Sequence, residues 1–252
     1  MLSSREFIGT EDNRIMLHHS SVGEIYVDTL LSGAYRDPEY KREKIEEILA
    51  EYSKTYSWNA IKLIGVLGSW RYEELSLIRY LISKIGITGI KQALDQCEDL
   101  LSIGNCISSI TEVDPDVGKR LVSTLNLSIL AKKINQADDL GAIGDCISPI
   151  TEVDPDVGKR LVSTLNLSIL AKKINQANDL GAIGYCISPI TRADPDVGKR
   201  LVSTLDLSIL AKKINQADDL GAIRYCISPI TRADPDVGRN LISRIKNKHR
   251  FL

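Results

Sequence analysis

Aromatic residues are scarce in this chain, at 5% of the sequence, and most of them crowd into the first eighty positions. Charge of one sign is lacking too. The formal net charge is −1, which leaves no global basic field to recruit nucleic acid or an acidic membrane. Long apolar runs are missing: the most apolar stretch, Ala60 to Leu67, is interrupted by Lys62 and is too short to span a bilayer. The N-terminus carries Arg5, Glu11 and Asp12 where a signal peptide would be apolar. A cytoplasmic, membrane-free protein is the expectation. Only three histidines occur, and no carboxylate pair recurs in an apolar context, so the composition argues against an enzyme.

Cysteine is sparse but regular. After Cys97 come Cys106, Cys146, Cys186 and Cys226, one every forty residues. No Cys-x-x-Cys pair and no neighbouring His accompanies them, which argues against zinc or any other metal. Each sits among apolar residues such as Ile143 and Ile147. The expectation is small buried hydrophobes without disulfides.

The cysteine spacing reflects a larger self-similarity, which decides how the rest is read. Leu121–Arg160 reads LVSTLNLSILAKKINQADDLGAIGDCISPITEVDPDVGKR. Leu161–Arg200 departs from it only at Asn178, Tyr185, Arg192 and Ala193. Leu201–Asn240 then differs at Asp206, Asp218, Arg224, Arg239 and Asn240. An earlier copy, Leu81–Arg120, has drifted in its first half, and a partial copy runs from Leu241 to Leu252.

Three short helices are expected in each unit. Asp154-Pro155 is a start signal, with a side-chain acceptor at the cap and proline at the first helical position; that helix should run to about Thr164. Asn166 can cap a second helix carrying Leu167, Leu170 and Ile174, and Asp138 or Asp139 a third carrying Leu140, Ile143, Ile147 and Ile150. Pro149, Pro189 and Pro229 predict a kink or early end near the preceding serine. Strand signals are absent from the unit. One unit has too little apolar surface for its own core, so neighbours must stack. The fold class is all-α: an α-solenoid of about four 40-residue repeats (81–120, 121–160, 161–200, 201–240, partial 241–252), preceded by a small helical domain. Residues 1–80 form that N-terminal segment, with helices expected from Asp37-Pro38 and over Ala60–Leu67 and Tyr72–Ser83.

Near-identical copies make the exceptions informative. Between the second and third units the changes Asp138/Asn178, Asp145/Tyr185 and Glu152/Arg192 fall seven residues apart, one face of a continuous helix. Position 145 lies roughly 200° from Ile143 around the helix, away from the expected core. Tyr185 and Tyr225 are the only aromatics between Leu81 and Arg250. Leu81–Arg120 and the next unit each hold four basic against six acidic residues; the third holds five against three and the fourth five against five. Exposed Tyr and Arg anchor recognition surfaces, against the plain alternative that solvent-facing positions drift after duplication. The candidate partner face is Asp145, Tyr185, Tyr225, Arg224, Glu152, Arg192 and Arg232, with no catalytic residue, metal ligand or cofactor.

Other readings compete. His18-His19-Ser20-Ser21 could suggest a nucleophile and base, but adjacent helical side chains do not face each other; a helix start near Ser20 or Ser21 with Glu24 in a capping box fits better. Asp154–Gly158 lacks the further oxygen ligands of a calcium loop. Lys132-Lys133 and Lys159-Arg160 recur and, with Arg244, Lys246, Lys248 and Arg250, could form a basic ribbon for nucleic acid. A self-assembling scaffold is the third reading, because repeated surfaces can engage head to tail.

The segment LHHSSVGEIYVDTLL, Leu17–Leu31, resembles a stretch late in NACHT or NB-ARC-type signal-transducing ATPases, where a His-x-Ser and an amphipathic helix end the winged-helix part. The DLGAIGDCISPITEVDP units, as in Asp139–Pro155, are similar to the helical repeat tails of such proteins in methanogenic archaea. The resemblance implies a sensor or protein-partner region of a regulatory ATPase, with residues 1–80 as a winged-helix remnant or a solenoid cap. No Gly-x-x-x-x-Gly-Lys-Ser/Thr occurs, so the nucleotide site does not carry over. The expectation is a fragment of a larger ATPase, or a product without its motor.

Overall fold

The computed structural model describes residues 8–11, 14–17, 61, 64–65 and 75–245. From Leu75 onward every described element is helical. Ahead of them, β1 (Ile8–Glu11) and β2 (Arg14–Leu17) pair antiparallel, with Ile8 opposite Leu17. That hairpin was not legible beneath the helical reading of residues 1–80. The expected helix at Asp37-Pro38 and the His18–Ser21 cluster lie outside the described residues.

Helix α1 (Leu75–Gln96) breaks at Gly86, whose φ of 72° and ψ of 160° lie off the helical region. An L side chain is strained at positive φ, so glycine suits the break. The helix expected to end at Ser83 is therefore the first half of a longer bent element. Gly86 stands forty residues before Asn126, where the later units place a cap.

Thereafter one pattern recurs. Helices α2 (Leu100–Val113), α5 (Leu140–Val153), α8 (Leu180–Ala193) and α11 (Leu220–Ala233) are long. Helices α3 (Pro115–Ser123), α6 (Pro155–Ser163), α9 (Pro195–Ser203) and α12 (Pro235–Ser243) follow them. Helices α4 (Leu127–Gln136), α7 (Leu167–Gln176) and α10 (Leu207–Gln216) complete the order. The caps are those the residues suggested. Asp154 Oδ1 accepts from the N–H groups of Asp156 and Val157, Asn166 from Ile169, and Asp139 from Ala142.

The long helices lie side by side, α2 on α5, α5 on α8 and α8 on α11. A single apolar cluster runs through the array, from Ile61 and Ile64 to Ile245. Ile143, Cys146, Ile147 and Ile150 supply one helix's share, all fully buried. All five cysteines are buried. Burial pushes the thiols of Cys146, Cys186 and Cys226 up to about 12.

Two devices join successive units. Lys133 is buried and its Nζ donates to the carbonyls of Leu94, Asp95 and Cys97 at 3.2, 2.7 and 2.5 Å. Lys173 donates likewise to Asn135 and Ala137, and Lys213 to Asn175 and Ala177. Each lysine thus satisfies the open carbonyls at the C-terminal end of a helix in the preceding unit. In addition, Asn135 Oδ1 accepts from the N–H of Asn166 and Asn175 Oδ1 from that of Asp206.

The early helix end expected at the prolines does not occur. Helices α5, α8 and α11 continue through Pro149, Pro189 and Pro229 to Val153, Ala193 and Ala233; none ends at the preceding serine. What each proline does is withdraw the N–H donor from the carbonyl four residues earlier, at Asp145, Tyr185 and Tyr225. Those carbonyls turn up at the contact with the preceding long helix. A Cβ on Gly104 would meet the Asp145 oxygen at 2.2 Å, one on Gly144 the Tyr185 oxygen at 2.3 Å, and one on Gly184 the Tyr225 oxygen at 2.0 Å. Glycine is required there because backbone meets backbone. Such close carbonyl approach suits a Cα–H···O contact, and it gives the freed oxygen a neighbour.

Candidate partner-binding face

Close packing at the glycines sets the geometry of what lies beside them. Residue 145 and its counterparts follow Gly144 by one position, so the tight spacing of α5, α8 and α11 brings their side chains into a row. Tyr185 and Tyr225 are stacked, with ring centroids 5.9 Å apart and an interplanar angle of 4°. They stay 51% and 59% exposed, so the pair is a surface feature and not a plug in the core. Offset stacking of two tyrosines is worth roughly 0.5–1.5 kcal/mol beyond area burial, which presents the two rings as one rigid platform.

The platform borders a groove of about 450 Å³, lined across α5, α8 and α11 by Asp145, Tyr185, Tyr225, Arg192, Arg224 and Arg232, with Ser148, Ser188, Pro189, Ser228 and Pro229 as its floor. Residues 145, 148 or 149, and 152 are three or four apart, hence on one helical face. Asp145 is half-buried, and its carboxyl is pushed above the usual range by burial, with the charge of Asp139 adding to the effect. At the row's other edge Arg192 Nη1 donates to Glu152 Oε1 at 2.6 Å, bridging α8 to α5, and Ser148 Oγ donates to the same oxygen at 3.0 Å. Arg224 and Arg232 are exposed and have no hydrogen bond or ion pair to any described residue.

Six of the seven residues expected on a partner face therefore line this one groove, and the seventh, Glu152, is tied to it through Arg192. The supposed third member of the seven-residue series, Asp138/Asn178, does not belong. It precedes the cap Asp139, off the helix, and Asp138 Oδ1 instead lies 3.7 Å from Lys173 Nζ.

Sequence reasoning also misses the floor. Gly144 and Gly184, on which the sequence reading is silent, set the spacing of the row. One signal could have revealed this: glycine occupies 104, 144 and 184 but arginine occupies 224. The last helix has no further described long helix stacked on it, so a side chain fits there. Among the described residues no group of His, Cys, Asp or Glu could hold a metal, and no helix is long and apolar enough to cross a membrane.

No family model, curated protein or solved structure matches the chain.

Proposed function

We propose that the chain is an α-solenoid of about four 40-residue repeats whose α5–α8–α11 layer is a non-catalytic protein-binding face. The observation that carries this reading is the exposed, stacked Tyr185–Tyr225 pair set among arginines in a groove. Tyrosine offers large apolar area with few rotamers to freeze, and arginine offers a planar charged fork; both are the usual anchors of protein recognition. Free drift of solvent-facing positions would account for one tyrosine. Duplication would carry that tyrosine into the next unit; what drift does not account for is Arg224, new in the last copy, which joins Arg232 in the same 450 Å³ groove with no described residue engaging either.

Nucleic-acid binding is the weaker alternative. One lysine in each unit of the supposed basic ribbon, Lys133, Lys173 and Lys213, is engaged by carbonyls of the preceding unit. Asp145 stands at the α5 end of the groove and would repel a phosphate chain. Self-assembly is disfavoured by Arg224, whose side chain fills the position at which α2, α5 and α8 require glycine for stacking.

The wider role, as a sensor region of a NACHT or NB-ARC-type regulatory ATPase system, rests on the resemblance of Leu17–Leu31 and Asp139–Pro155. A cytoplasmic setting accords with the buried thiols of Cys106, Cys146, Cys186 and Cys226, which form no disulfide, as reducing compartments preserve them. The test of the binding face is selection from a displayed random-peptide library and, in parallel, from a pool of single-stranded oligonucleotides. Peptides enriched by the natural chain but not by a folded Tyr185→Ala/Tyr225→Ala variant support it. Enrichment of oligonucleotides alone refutes it.

A further inference from the structure

The groove has an electrical direction that narrows the choice of occupant. At the α5 end stands Asp145, with its carboxyl raised by burial. In the middle Glu152 neutralises Arg192 across 2.6 Å. At the α11 end Arg224 and Arg232 both line the groove, and no described carboxylate meets either. Arg239, by contrast, pairs with Asp236 on α12. Arg224 and Arg232 are eight residues apart on one helix, about 12 Å along its axis at 1.5 Å per residue. They flank Tyr225, which is the more exposed ring of the stacked pair.

We propose that this groove binds an extended acidic peptide segment, its carboxylates held by Arg224 and Arg232 and an aromatic or proline side chain laid on the Tyr225–Tyr185 platform. This rests on the reading of the layer as a protein-binding face and names the chemistry of its partner. The guanidinium fork matches a carboxylate through two parallel N–H···O bonds. An extended chain advances about 3.3 Å per residue, so carboxylates three or four residues apart span the two arginines with room for a ring between them. Asp145 sets the other boundary. It repels acid at the α5 end, so the segment's acidic part lies over α11. A nucleic acid, charged at every residue, has no such uncharged portion to lay over Asp145 and Glu152.

The experiment uses the full chain and three fluorescein-labelled probes in anisotropy titrations at low salt. The first is a peptide with glutamates three or four apart around a single tyrosine, the second replaces each glutamate by lysine, and the third is oligouridylate. The glutamate peptide is expected to bind the natural chain. An Arg224→Glu/Arg232→Glu variant should bind it at least about tenfold more weakly and gain affinity for the lysine peptide. An Arg224→Gln/Arg232→Gln variant should fall between, with unchanged circular dichroism in both. Tighter binding of the lysine peptide or oligouridylate by the natural chain overturns the proposal, as does full retention of the glutamate peptide by the Glu variant. Loss of all peptide binding in Tyr185→Ala/Tyr225→Ala, with no effect of the arginine changes, leaves the binding face standing and removes its acidic preference. Absence of binding to any peptide removes both.

Discussion

Replacing Gly184 by alanine adds a methyl group that would sit 2.0 Å from the Tyr225 oxygen, 2.6 Å from its carbonyl carbon and 3.2 Å from the Cys226 nitrogen. Carbon meets a carbonyl oxygen comfortably at about 3.3–3.6 Å, so α8 and α11 must part by about 1.3–1.6 Å. Nothing nearby is a flexible side-chain end; the obstacle is backbone. Ile183, Cys186, Ile223 and Cys226 pack the same interface and are buried, and a gap of about 0.5–1 Å forfeits a quarter to a half of each dispersion contact. Overpacking of this kind costs about 1–3 kcal/mol, whereas alanine gains only about 0.8–1 kcal/mol over glycine as a helix former. Because the obstacle is backbone, the upper part of that range applies, about 2–3 kcal/mol, and the expected sum is a destabilisation of about 1–2 kcal/mol, opposite in sign to what helix propensity alone gives. Position 224 supplies the control. There the same propensity acts without the steric term, so Arg224→Gly should lose about 0.8–1 kcal/mol and Arg224→Ala almost nothing. Stacked units need not unfold in one step. The assay is therefore urea unfolding by far-UV circular dichroism together with hydrogen exchange of the α8 and α11 amides. A Gly184→Ala protein as stable as the natural chain, with unchanged α11 protection, would refute the close approach that sets the groove's spacing.

The inter-unit lysines give a second prediction. Lys173→Met keeps the apolar stem but leaves the Asn135 and Ala137 carbonyls without their donor. A loss of about 1.5–3 kcal/mol in urea unfolding is expected, and less than about 0.5 from the exposed Lys172→Met. Asp145 yields a pH test. Its carboxyl is raised by burial, so it contributes stability only below the ordinary carboxylate pKa, and that contribution is lost as pH rises through the raised folded value. Asp145→Asn should thus stabilise the chain at neutral pH, and the difference should vanish in acid, as thermal melts across pH would show. The buried thiols should resist alkylation in the native chain at pH 8, and all five should react in denaturant; mass spectrometry of labelled protein reads the result directly.

Much of the fold was legible because local rules were obeyed in triplicate. Asp154, Asn166 and Asp139 each cap a helix as their side-chain chemistry predicts, and the Ile143–Ile150 stripe is buried. Cys146 and its counterparts pack as hydrophobes. Two of the misreadings share one physical cause: their explanation lies in the preceding unit and not in the local helix. Pro149 looked like a helix breaker when only its own helix was considered. Against a neighbour whose Gly104 leaves room for the freed Asp145 carbonyl, it is compatible with a helix that continues to Val153. Lys133 reads as part of a basic ribbon because its carbonyl partners at Leu94, Asp95 and Cys97 are more than thirty-five residues away in sequence. Of the site, the side chains were identifiable as positions that change between copies, but their stacking and the arginine–glutamate bridge depend on interhelical spacing. Asp138 was misplaced by extending the seven-residue period past the cap at Asp139.

The central claim is that the Tyr185–Tyr225 row is where a protein partner sits. Its most direct test is site-specific photocrosslinking with benzoylphenylalanine placed at 185 or 225, and for comparison at the exposed Lys172 on α7, in the presence of the glutamate–tyrosine peptide. Adducts at 185 and 225, competed by unlabelled peptide, with none at 172, are the predicted result. Equal labelling at all three positions, or none at 185 and 225, would contradict it.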